Sequence, residues 1–226
     1  LQSREPEGLV IGAVPEREDP RDALVGSTFE HLAVGARVGT GSVRRRAQLS
    51  WLRPDLTFGG LRGNIETRLE KADGFHAIVV ALAALRRLER TSAVAEVLGP
   101  EIMLPQVSQG ALAVECRADD DRVRELMAAI EHEPSRRAVD AERAWLAELG
   151  GGCDQPVGAY ATVGDGGGVH LEAMVASGDG RILVRRRASG DDPAAVGRDL
   201  ARVMLDRCGA AWLLAETSPA VAPVPA

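Results

Sequence analysis

Apolar and polar positions fall in short blocks along this chain, and the period of the blocks switches between two and about 3.6. Residues 9–14 form a β-rich run that ends in the charged turn Pro15-Glu16-Arg17-Glu18-Asp19-Pro20. Residues 33–38 predict a strand that stops at Gly39-Thr40-Gly41, after which Ser42 can cap a helix carrying Val43, Ala47, Leu49 and Leu52 as far as Pro54. A second strand is expected over 56–60, a helix capped by Asn64 over 64–72, and a third strand over 77–82 running into a helix at 83–89. Strand and helix alternating in this rhythm imply parallel βαβ units and an α/β fold.

The pattern changes after Pro105. Residues 110–116 predict a strand, and 119–131 a helix with Val123, Leu126, Met127 and Ile130 on one face. A second domain is expected to begin near Pro134, with a helix over 135–149 followed by the flexible stretch Gly150-Gly151-Gly152-Cys153. Strands at 157–163, 169–175 and 182–188 are separated by Gly/Asp turns that suit antiparallel hairpins. A helix over 193–208 closes this domain, and the Pro/Ala-rich residues 218–226 read as a loose tail. The glycines of 164–168 lie between two of these strands with no Walker-type lysine, and read as a hairpin loop.

Composition narrows the class. The 226 residues are 45% hydrophobic with 33 acidic and 27 basic side chains, net charge −6, which describes a soluble globular protein of one or two domains. No apolar run reaches the roughly 18 residues of a membrane span, and the start lacks the basic-then-apolar order of a signal peptide. Cys116, Cys153 and Cys208 stand far apart with no CxxC pair, which argues for a reducing compartment, by default the cytoplasm, and against disulfides or structural zinc. His31, His76, His132 and His170 are too scattered to propose a metal site or a histidine-based triad. Lys71 is the only lysine, a bias that genome composition explains more simply than function. The chain begins at Leu1 rather than Met, and we read it as a fragment.

Three segments could carry chemistry. Gly39-Thr40-Gly41-Ser42-Val43-Arg44-Arg45-Arg46 joins a strand to a helix start, where backbone N–H groups, two hydroxyls and arginines can cradle an anion. The simpler reading of the same residues is an N-capped helix with a solvated basic face. Leu61-Arg62-Gly63-Asn64-Ile65-Glu66-Thr67-Arg68 repeats the design at the next strand end, so Arg62 and Arg68 can reach the sheet edge where open α/β folds bind ligands, with Arg86 or Arg87 joining them after the third strand. Arginines clustered in a chain of negative net charge suit a carboxylate-rich or phosphate-rich ligand better than a nucleic-acid surface. Cys153 sits between glycines and Pro156, a placement that suits covalent chemistry, although a surface thiol without function is the plainer reading. Cys116 and Cys208 read as inert and buried.

In this order and spacing the segments resemble the porphobilinogen deaminase family, also called hydroxymethylbilane synthases. The resemblance rests on Glu16-Arg17-Glu18-Asp19-Pro20-Arg21-Asp22-Ala23, GTGSVRR at 39–45, LRGN at 61–64 with Arg68, Pro105-Gln106-Val107-Ser108-Gln109-Gly110-Ala111, Glu115-Cys116-Arg117 and GGC at 151–153, and extends from about residue 8 to about residue 216. It implies a transferase that joins four porphobilinogen molecules into a linear tetrapyrrole with release of ammonia, on a dipyrromethane cofactor held as a thioether. By resemblance Cys153 is the attachment point. Ser42, Arg44, Arg45, Arg62, Arg68, Gln109 and Gly110 match cofactor-binding positions, and Arg62, Arg68 and Arg87 substrate-binding ones. Each pyrrole carries two carboxylates, which explains the need for forked donors.

The same resemblance implies two periplasmic-binding-protein-type α/β domains facing a cleft and a small C-terminal α/β domain with the three-stranded antiparallel sheet. On that pattern 15–104 is the second domain, 1–14 with 105–130 are parts of the first, 134–218 is the third, and 219–226 a tail. The expected protein is a cytoplasmic monomer whose partner is its small-molecule substrate, with no metal, membrane or nucleic acid. Two departures stand out: Gly41 replaces a serine found in many members, and the H-S-x-K-D motif with the catalytic aspartate lies outside residues 1–226, so the chain by itself is expected to be inactive. The alternatives are a non-catalytic anion-binding module and, less strongly, nucleic-acid binding through Arg44–Arg46, which would give salt-dependent affinity for any DNA.

Overall fold

A computed structural model describes residues 6–150, 152 and 154–217. The expected tail at 218–226 and the expected attachment point Cys153 lie outside the described residues.

The first strands and helices in chain order are β1 (Leu9–Ala13), β2 (Asp22–Val25), β3 (Arg37–Gly39), α1 (Val43–Leu52), β4 (Thr57–Gly59), α2 (Ile65–Glu70), β5 (Ala77–Ala81), α3 (Leu82–Arg87) and β6 (Val94–Leu98). Five of these strands make one sheet in the order β4-β3-β5-β2-β6. β3 runs parallel to β4 and β5, as the alternating pattern predicts, but β2 pairs antiparallel with both β5 and β6, so the sheet is mixed rather than wholly parallel. Both unexpected strands have a physical reason for escaping the pattern. All four residues of β2 are buried, which removes the alternation that marks a half-buried strand, and its first residue is an aspartate. β6 lies at the sheet edge with only Leu98 fully buried.

Alternate residues of the central strands feed two cores. Leu24 and Val79 pack with Leu49 of α1 on one face, while Ala23, Ile78 and Val80 pack with Leu82 and Leu85 of α3 on the other. Helices thus cover both faces, and the ends of β3 and β4 open between them.

β7 (Val114–Arg117) pairs antiparallel with β1, and α4 (Asp121–Met127) follows, shorter than its expected 119–131 span because 128–130 tighten into a 3₁₀ turn. α5 (Glu133–Leu149) begins with Pro134 in its first turn and ends on Gly150 in the left-handed conformation. β8 (Val157–Val163), β9 (Val169–Ala176) and β10 (Leu183–Gly190) form the expected three-stranded antiparallel sheet in the order β10-β9-β8. One face is covered by α5, by α6 (Pro193–Arg207) and by α7 (Ala210–Thr217), a helix that periodicity did not predict. Trp145 is fully buried at the centre of this core. No helix among the described residues is long and apolar enough to cross a membrane.

The other face of that sheet presses on α1. Met174 and Ala176 pack with Ala47 and Leu104, and the Ala159 amide donates to the Pro105 carbonyl at 3.1 Å. In the β9–β10 turn Gly180 has φ +76°, and a Cβ there would stand 2.5 Å from the Ala47 carbonyl oxygen. Gly180→Ala is therefore expected to cost about 1–3 kcal/mol by overpacking and backbone strain. A urea titration checks this through a lower midpoint with an unchanged slope.

Candidate functional site

β3 delivers the chain to the site. Its last residue is followed by Thr40, Gly41 and Ser42, and the Ser42 hydroxyl caps α1 by accepting from the Arg45 amide at 3.4 Å. The Thr40 hydroxyl accepts from the Ser42 amide at 3.2 Å. Gly41 lies against the second arginine loop, where a Cβ would come 2.8 Å from the Leu61 carbonyl oxygen, so a side chain here would force the two loops apart. Asn64 caps α2 in the same manner, accepting from the Thr67 amide at 2.9 Å.

The simpler reading of the start of α1 as a solvated basic face does not hold for its first two arginines. Arg44 is 1% exposed and Arg45 7%, and only Arg46 stands in solvent. The cause is Asp22, fully buried at the start of β2. Its carboxylate accepts from Arg44 Nη2 at 2.8 Å, from Arg45 Nη2 at 2.7 Å and Nε at 3.2 Å, and from Gln109 Nε2 at 2.8 Å. Burial by itself would raise the Asp22 pKa, but the two guanidinium charges and their hydrogen bonds outweigh it and hold the carboxyl below the usual range. Arg44 also donates to the Leu104 carbonyl, and Arg45 to the Val79 carbonyl at 3.1 Å.

Two cations against one anion leave this cluster with an excess positive charge. Arg44 Nε is buried with no hydrogen-bond partner among the described residues. Arg68 stands close enough for the Arg45 charge to depress its pKa, after the larger effect of burial in the same direction. Its Nε donates to the Gly63 carbonyl at 2.8 Å. Arg62 is exposed and lines a cavity of about 250 Å³ with Thr40, Ser42, Arg46 and Gly60. The structure therefore brings Ser42, Arg44, Arg45, Arg62 and Arg68 to one end of the sheet. Arg87 is exposed at the end of α3, apart from these hydrogen bonds, while Arg86 pairs with Glu18 at 2.6 Å. Among the described residues no group of three or more His, Cys, Asp or Glu side chains could hold a metal ion.

Gln109 and Gly110 serve the cluster from behind. Gln109 Nε2 donates to the Pro20 carbonyl as well as to Asp22, and the Gly110 carbonyl accepts from the Glu18 amide at 3.2 Å. Three residues of this shell had no role assigned from the sequence: Arg17 and Asp22, which stand in the 16–23 segment of the family resemblance, and Glu142. Glu142 is fully buried and accepts from Arg17 Nη1 at 2.7 Å and from the Ser108 and Ala161 amides, while Arg17 Nε donates to the Gln109 carbonyl at 2.9 Å. The available signal was a glutamate in the apolar stripe Ala138, Ala141, Trp145, Leu149 of α5.

Asp22→Asn leaves two buried guanidinium groups without a counter-charge and is expected to destabilise the protein by about 3–5 kcal/mol. The Asp22 contribution is fully present above the ordinary carboxylate pKa and is lost as pH falls through its lowered folded value. Denaturation at neutral and acid pH should therefore find the gap between parent and variant closing as pH drops. A gap independent of pH would contradict this assignment.

Residues 1–125 match the family model described as "Porphobilinogen deaminase, dipyromethane cofactor binding domain", and residues 137–206 match "Porphobilinogen deaminase, C-terminal domain". The porphobilinogen deaminase of Moorella thermoacetica is 54% identical over 218 residues, covering 93% of this chain and 69% of that protein. That of Brevibacillus brevis is 48% identical over 216 residues, covering 93% and 70%. A solved structure, YhfZ from Shigella flexneri, aligns over 65% of this chain and 66% of its own at 17% identity and a TM-score of 0.28, too remote to carry an argument. With a buried arginine cluster suited to carboxylates and two matching domain models, the chain belongs to the porphobilinogen deaminase family, the hydroxymethylbilane synthases, and residues 1–125 match the domain by which that family binds its dipyromethane cofactor.

Proposed function

We propose that this chain is the larger part of a cytoplasmic, monomeric transferase that joins four porphobilinogen molecules head to tail into hydroxymethylbilane, releasing one ammonia per addition. The dipyrromethane cofactor, as a thioether on Cys153, supplies the primer on which the pyrroles are joined. The observation that carries this reading is the charge imbalance at the start of α1: Arg44 and Arg45 share the single carboxylate of Asp22, and Arg44 Nε has no hydrogen-bond partner among the described residues. A ligand bearing several carboxylates suits this excess positive charge, and the donors open to it with charge-assisted bonds are Ser42 and Arg62 in the adjoining cavity.

Ser42, Arg44, Arg45, Arg62, Arg68, Gln109 and Gly110 belong to the cofactor's end of the site, and Arg62 and Arg68, with Arg87, also serve the incoming substrate. Arg62 and Arg68 take carboxylate arms, and Arg44 and Arg45, bound to Asp22, supply positive charge behind them. In this reading the five-stranded sheet is a periplasmic-binding-protein-type domain spanning 15–104, and 1–14 with 105–130 belong to a first domain across the cleft. Residues 134–218 form the domain that presents Cys153, and 219–226 the tail.

Acid–base work needs a further group. Asp22 is held ionised by two arginines and so is a poor proton donor at neutral pH. Residues 1–226 alone are accordingly proposed to bind pyrroles without turning them over. Purified 1–226 converting porphobilinogen to hydroxymethylbilane at the rate of the protein from the whole reading frame would overturn that.

In the protein from the whole reading frame, Cys153→Ser should fold normally and carry no stable dipyrrole, since a hydroxyl is a far weaker nucleophile than a thiol at neutral pH. Intact mass reads the adduct directly, and a normal dipyrrole mass on the variant would sink the attachment point. A parent protein with a bare thiol would favour a non-catalytic carboxylate-binding module instead. Arg62→Leu should leave the adduct in place and slow elongation roughly tenfold or more through loss of a charge-assisted bond; turnover equal to the parent would count against its role.

A further inference from the structure

Arg46 differs from the two arginines before it. Its amide donates to the Ser42 carbonyl at 3.1 Å, which sets it one helical turn beyond the cap and on the same side of α1. Its side chain lines the 250 Å³ cavity that also holds Ser42 and Arg62. It lines a second cavity as well, of about 310 Å³, whose charged walls are Asp154, Asp179 and Glu216. Arg46 Nη2 donates to the neutral Gly178 carbonyl at 3.1 Å, and Arg46 forms no ion pair with any described residue. Asp179 is engaged elsewhere, by the Ser177 hydroxyl at 2.6 Å and Arg181 at 3.4 Å.

The two cavities have opposite electrostatic character. The first is lined by Arg46, Arg62 and the Thr40 and Ser42 hydroxyls; the second is lined by Arg46, by Gly178, whose carbonyl Arg46 meets, and by three acids that repel carboxylates. Asp154 of this wall is the residue that follows Cys153 in the sequence.

We propose that Arg46 is a further carboxylate-binding residue of this site, set at the border between the cationic cleft and the acidic wall, where it takes a carboxylate arm of the pyrrole chain on the cleft side. The acids of the second cavity keep the anionic chain from turning that way, and Arg46 marks where its path begins. This assignment rests on the porphobilinogen reading above and adds a residue to it.

The test uses the protein from its whole reading frame, freed of cofactor, with Arg46→Glu, Arg46→Gln and Arg46→Lys. Each is incubated with porphobilinogen, and intact mass follows the appearance of the dipyrrole adduct and the distribution of longer adducts. Arg46→Glu is expected to load roughly tenfold more slowly than the parent, the effect of about one charge-assisted bond, and to accumulate shorter adducts. Arg46→Gln should fall between, and Arg46→Lys should restore most of the loading. Melting temperatures of the unloaded parent, Arg46→Gln and Arg46→Lys should agree closely because Arg46 is exposed, while Arg46→Glu is expected to melt lower beside the three acids. If Arg46→Glu fails to fold, the contrast between Gln and Lys decides by itself.

Loading and adduct distributions equal to the parent in Arg46→Glu, or in Arg46→Gln where Glu does not fold, would overturn the assignment while leaving the porphobilinogen reading intact. A lysine variant as impaired as glutamine would overturn it too. No adduct on the parent protein would overturn both.

Discussion

A carboxylate buried between two guanidinium groups sets the geometry at the open end of the main sheet. Asp22 opens β2, a strand held on both sides by β5 and β6, so its position is fixed by the backbone ladder rather than by its own side chain. Arg44 and Arg45 come from the first turn of α1, and each also donates to a backbone carbonyl, Leu104 for one and Val79 of β5 for the other. The start of α1 is thereby tied to two strands and to the connection that leads into the C-terminal part. Without Asp22 the burial of two charges there would have no electrostatic justification.

The same carboxylate begins a longer connection. Gln109 donates to Asp22 and accepts, through its backbone carbonyl, from Arg17, whose guanidinium is paired with Glu142 on α5. Each polar group along this line is satisfied by the next, which is the condition under which buried polar networks rigidify a structure. The helix that precedes Cys153 in the chain is thus joined, through side chains and one backbone carbonyl, to the arginines at the start of α1. Gly180 against Ala47 makes a second, steric connection between the same two parts.

Much of this was legible in the sequence where the signal is local. Gly39 to Ser42 followed by an apolar period gave both the cap and the helix, and the Gly/Asp turns gave the three C-terminal strands nearly residue for residue. What failed was non-local. The simpler reading of Arg44 and Arg45 as a solvated face missed their burial because their partner Asp22 lies more than 20 residues earlier, just past the charged turn at 15–20. β2 itself was hidden for the related reason that a short strand buried on both faces shows no alternation. Glu142 could have been suspected from its place in an apolar stripe, but its partner Arg17 lies more than 120 residues away, and only tertiary structure pairs them.

Three consecutive arginines thus have three different surroundings, and the helix explains how. Successive positions turn by about 100°, so a basic tripeptide at the start of a helix cannot present all its side chains one way. Arg44 turns to the Leu104 carbonyl and one oxygen of Asp22, Arg45 to β5 and the other oxygen, and Arg46 out along the cavities. Lysine would not substitute at the buried pair, since only a planar fork can meet a carboxylate and a carbonyl together while keeping its charge. The arginine-only composition can come from the genome, but at these two positions the geometry requires it in any case.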